Sequence, residues 1–116
     1  MAHDFYRLVR VIKLREELKP VEIYPGWDPD PIRPDWVGII HSGFMMAHRE
    51  DIQEGFLLSF RDAEGRELAS EQFDTLAMTI DQANAIVGIK PDEWLVLEID
   101  MPDADLPWEA IERQLA

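Results

Sequence analysis

An apolar run, residues 56–61, and a second extended run, residues 66–73, are joined by the polar link Asp62-Ala63-Glu64-Gly65, and this pattern constrains the fold more than any other. Such a pairing around a short glycine-containing connection marks a β-hairpin. Within it Phe56, Leu58 and Phe60 fall on one side of a strand and face the core together. The period then changes. Leu76, Ile80, Ala83 and Val87 lie at i, i+4, i+7 and i+11, one continuous helical stripe. Asp74, Thr75 or Thr79 caps its start, with Thr79 and Gln82 spaced as a capping box, and Gly88-Ile89 before Pro91 stops it. Residues 94–100 read as a strand with Leu95, Leu97, Ile99 and Met101 on one face. Asp105 caps a last helix lined by Trp108, Ile111 and Leu115.

The first half is richer in strand. Residues 5–14 fit both a strand and a helical face, and Arg10 interrupts the alternation; β-branched Val9, Val11 and Ile12 favour the strand. A short strand is expected at 21–24. Residues 25–36 contain Pro25, Pro29, Pro31 and Pro34, which forbid a helix or an interior strand and predict a surface loop. Residues 36–41 read as a strand, after which Ser42 is placed to cap a helix over 44–54 with Gly55 as its stop. The sum is an α+β fold. Residues 1–116 are expected to form one domain, a mostly antiparallel sheet of about five strands with two or three helices on one face.

Charge narrows the function classes. The chain holds 24 acidic and 11 basic side chains, a net of −13. Residues 1–20 are basic on balance (Arg7, Arg10, Lys13, Arg15 and Lys19 against Asp4, Glu16 and Glu17), so the rest carries more than the whole excess. Such a field repels nucleic acid and anionic membrane and steers a basic protein towards the chain. No run of residues is apolar enough to cross a membrane, and residues 1–7 do not read as a signal peptide. Absence of cysteine excludes disulfides, thiolate metal sites and a cysteine nucleophile, and points to the cytoplasm. No cofactor motif or phosphate loop is present.

Three constellations merit weighing. His41 and His48 near Glu50 and Asp51 have the chemistry of an acid–base or metal site, but not the spacing of a known one; the plainer reading is two surface or strand-end residues. Glu98 and Asp100 project to one side of their strand, roughly 7 Å apart, and Asp103 and Asp105 continue the ridge. They suit either an acid–base pair or, with more weight, a charged docking surface. Asp28, Asp30 and Asp35 flank Trp27 and Trp36 in the proline-rich loop. Rigid acid-and-tryptophan loops suit protein docking, although both tryptophans serve equally as plugs for the core. No catalytic or metal-binding residue is assigned.

The favoured expectation is an acidic module, of bacterial immunity-protein or antitoxin type, that inhibits a basic partner such as a nuclease or other toxin. Its contact residues are Trp27, Asp28, Asp30, Asp35, Trp36, Glu98, Asp100, Asp103 and Asp105. The alternatives are a small enzyme or ligand-binding domain using His41 and His48 or Glu98 and Asp100, and a structural homo-oligomeric subunit. The free chain is expected to be a monomer or a homodimer.

Overall fold

The computed structural model describes residues 3–23, 31–45, 52–100 and 106–115. Its strands are β1 (His3–Lys13), β2 (Trp36–Met45), β3 (Ile52–Arg61), β4 (Glu67–Phe73) and β5 (Leu95–Asp100). The helices are α1 (Leu76–Val87) and α2 (Trp108–Leu115), with single 3₁₀ turns at Glu16–Leu18 and Pro91–Glu93. All neighbours in the sheet are antiparallel, in the order β4-β3-β2-β1-β5. The α+β expectation therefore holds, with five strands and two α-helices.

The helices do not share one face as expected; they lie on opposite sides. Period-two alternation along β2 divides the core: Val37 and Ile39 point to one face, Trp36 and Ile40 to the other. On the first face α1 contributes Ala83 beside Leu58, Phe60, Ile89 and Trp94. On the second, Trp108 and Ile111 of α2 cover Leu8, Val11, Trp36 and Ile40. A sheet that is apolar on both faces needs cover on both, and each helix supplies one apolar stripe.

The register of β1 explains its mixed pattern. Leu8 pairs with Ile40 but Arg10 pairs with Ile39, so Val9 is an extra residue, a β-bulge. The bulge resets the alternation: Leu8 and Val11 both reach the second core while Val9 and Ile12 pack on the first. The irregularity at Arg10 is thus a feature of a strand, not evidence for a helix.

The helix expected over 44–54 is not formed. β2 and β3 pair without a break from Trp36↔Arg61 to Met45↔Ile52, so residues 44, 45 and 52–54 belong to a hairpin, and residues 46–51 lie outside the described residues. Ser42 sits opposite Gly55 in that ladder instead of capping a helix. Within 44–54, Phe44 and Ile52 are strand-favouring residues, and pairing Phe44 with Gln53 and Met45 with Ile52 extends a ladder already running from Trp36↔Arg61. Gly38 also has a packing role, since a Cβ there would fall 2.7 Å from Leu8 and 2.8 Å from Trp36. The short strand expected at 21–24 reduces to one bridge, with Val21 and Ile32 exchanging both backbone bonds.

Of the three cap candidates for α1, Thr75 does the work: its hydroxyl accepts from the Met78 N–H at 3.1 Å. Thr79 is inside the helix and buried, donating to the Thr75 carbonyl. Gly88 ends the helix in the left-handed conformation at φ 90°, as the glycine stop implied.

Candidate interaction surfaces

Among the described residues almost every cation of the N-terminal half is committed to a neighbouring acid. Arg7 reaches Glu98 and Asp100 at 3.3 and 3.4 Å, Arg15 holds Glu17 and Glu93, and Lys19 and Arg33 share Glu16. Arg61 of β3 is buried over the Trp36 ring, donating to Ser59 Oγ and the Gly65 carbonyl. By contrast, no described cation lies within ion-pair distance of exposed Glu22, Glu64, Asp74, Asp81, Asp92 or Glu112. Most described basic side chains, Arg10, Arg66 and Lys90 excepted, neutralise the molecule's own carboxylates, and the net charge of the chain is −13.

Two surface regions bring charged and aromatic side chains together. The first is an open groove of about 550 Å³ between the β3–β4 turn and α2, lined by Lys13, Asp35, Glu64, Trp108, Glu109 and Glu112. The turn is held there because the Trp108 N–H donates to the Ala63 carbonyl at 3.0 Å. Lys13 lies 5.7 Å from the Trp108 ring and 3.9 Å from Asp35 Oδ2, a buried oxygen with no hydrogen-bond partner among the described residues. Arg113 ties Glu109 at 2.8 Å, which leaves Glu64 and Glu112 as the unpaired rim.

The second is the end of the first sheet face that α1 leaves open. Register places Asp100, Arg7, His41, Phe56 and Phe73 in one row across all five strands. His41 stacks on Phe56 (4.6 Å, 7°) and meets Phe5 edge-on (5.0 Å, 80°), with Glu54 at 3.6 Å. Arg7 lies 5.2 Å over the Phe5 ring. Residues assigned from sequence to two separate constellations, His41 and the Glu98/Asp100 pair, therefore share one surface.

The remaining assigned residues divide cleanly. Trp36 is fully buried between Trp108 and Arg61 and plugs the core, so it presents no surface to a partner. Asp35 is partly exposed at the groove. Trp27, Asp28, Asp30, His48, Asp103 and Asp105 lie outside the described residues. Glu98 and Asp100 point the same way, 70% and 84% exposed, but Arg7 lies between them. A general acid needs a drier setting than that. No cluster of described histidines and carboxylates is arranged to hold a metal ion. No described helix is long and apolar enough to cross a membrane. Sequence reasoning missed the groove because Glu64 and Glu112 become neighbours only through tertiary contact; the one local hint was the charged outer side of the last helix.

Two carboxylates are shifted. Lys19, by hydrogen bond and charge, with help from Arg33, holds Glu16 below the usual glutamate value of 4.5; the Lys90 N–H and then the Arg15 guanidinium do the same for Glu93. A depressed folded-state value means the unfolded chain binds more protons, so these groups stabilise the fold above pH 4.5 and lose that effect on acidification through their lowered values. Urea midpoints are expected to be level above that pH and to fall below it. Arg15→Gln should flatten part of the fall; an unchanged acid limb would show that the Arg15 pairing is not a source of it.

No known family model, curated protein or solved structure matches this chain.

Proposed function

We propose that the chain is a protein-binding module for a basic partner, acting as an inhibitor that covers a cationic surface in the manner of an immunity protein or antitoxin. The observation that supports this most is the distribution of paired and unpaired charge. Most described cations sit in internal pairs, Arg10, Arg66 and Lys90 excepted, while Glu64 and Glu112 stand unpaired at the rim of a groove between the β3–β4 turn and α2. Unpaired carboxylates at the rim suit arginine and lysine side chains through charge. A cysteine-free domain of this size suits a reducing compartment, and we place the protein in the cytoplasm.

The test combines capture with substitution. Tagged protein should retain a basic protein from its source at about 50 mM salt and release it by about 500 mM, as screened surface charge requires. The triple variant Glu64→Gln/Glu109→Gln/Glu112→Gln should fold normally and associate with that protein roughly tenfold more slowly. Retention that is indifferent both to salt and to the triple variant would remove the basis of the proposal.

A further inference from the structure

The edge strand β5 is apolar at its start and carries two carboxylates towards its end. It ends the sheet, and among the described residues only β1 pairs with it. Val96 is 71% exposed and Leu95 45%, the former the most exposed large apolar side chain described. Unpaired edges are normally blunted by charged side chains, proline, a bulge or a covering element. The charges that β5 carries, Glu98 and Asp100, are both acidic, so they disfavour an acidic strand and admit a basic one. The opposite edge, β4, differs because α1 follows it directly and packs back on β3 and β4.

Building on the basic-partner reading, we propose that β5 is the docking edge for an extended segment of that partner, which adds to the sheet as a sixth strand. The occupant follows from charge. Val96, Glu98 and Asp100 alternate along the strand and so share a face, and Arg7 touching both carboxylates places those two together. One guanidinium between two carboxylates leaves an acid in excess. A second copy of this chain would set acid against acid across the new pair, which is unfavourable for directly opposed side chains. A segment with arginine or lysine at alternate positions and one apolar residue opposite Val96 meets each of these groups with its complement. Backbone bonds then supply affinity, and the alternate side chains supply selectivity.

A synthetic peptide about eight residues long, alternating arginine and threonine with one arginine replaced by valine, tests this on the full chain by amide hydrogen exchange. Slowed exchange is expected in residues 95–100 with no change in 67–73. The same peptide N-methylated at alternate backbone nitrogens keeps its charge but cannot complete a ladder, so it should give no protection. Glu98→Lys/Asp100→Lys, checked for folding by circular dichroism, should weaken the unmethylated peptide at least about tenfold. Equal binding of the methylated peptide, or no protection of β5 at millimolar peptide, overturns the proposal. Protection confined to residues 62–65 and α2 also overturns it, while leaving the basic-partner reading in place.

Discussion

Trp36→Ala is expected to destabilise the fold by about 3–5 kcal/mol, the usual range for removing a large buried aromatic. The ring is fully buried where three parts of the structure converge. Trp108 of α2 lies 6.2 Å away, the Arg61 guanidinium lies 5.8 Å above the ring, and Gly38 is bare because the ring needs its space. Arg61 is held away from the gap by its hydrogen bonds to Ser59 and Gly65. Against a total stability of about 5–15 kcal/mol, the loss is a large fraction of the whole. Urea denaturation followed by circular dichroism measures it. Trp36→Phe is the informative companion. The indole Nε1 is buried without a hydrogen-bond partner among the described residues, so phenylalanine keeps much of the packing and removes an unsatisfied N–H. Its cost should be only about 1 kcal/mol. A loss below about 1 kcal/mol for Trp36→Ala would show that this junction is not the centre of the second core.

What could be read from the residues follows physical lines. Signals complete within one segment were legible: the hairpin at 56–73, the α1 stripe with its glycine stop, and the apolar side of α2. The error at 44–54 arose where local signals conflict. Ser42 and Gly55 resemble helix cap and stop only until β3 is brought alongside, when they become partners in a ladder. Val9 shows the same limit on a smaller scale, because a bulge is defined by the neighbouring strand and leaves only a disturbed alternation in its own. Placing α1 and α2 on opposite faces depends on β2 being apolar on both sides, and the continuous run from Trp36 to Ile40 carried that information. The interaction surfaces were legible least. Glu98 and Asp100 were correctly set on one side of a strand, but their shared partner Arg7 comes from the far end of the chain.

Gly65→Ala should also destabilise the fold markedly, and it bears on the groove as well. Gly65 has φ 87°, a left-handed conformation that costs a side-chain-bearing residue about 1–3 kcal/mol. Space is a further obstacle, because a Cβ at this position would land on the backbone of Leu106, just before α2. Backbone cannot swing aside as a flexible side chain can. Either the turn or the start of α2 must shift, and two anchors run through that contact: the Gly65 carbonyl accepts from Arg61 at 2.8 Å, and the Ala63 carbonyl accepts from Trp108 N–H at 3.0 Å. The expected cost is about 2–4 kcal/mol, measured by urea denaturation. Because Glu64 stands on the turn and Glu109 and Glu112 on α2, the same displacement widens the groove between them. Capture of a basic partner should therefore weaken in Gly65→Ala even where the protein remains folded. Faster amide exchange in residues 106–115, with β1 and β2 unaltered, would locate the damage at the docking of α2. A variant with normal stability and an undisturbed α2 would show that the turn does not set the groove's width.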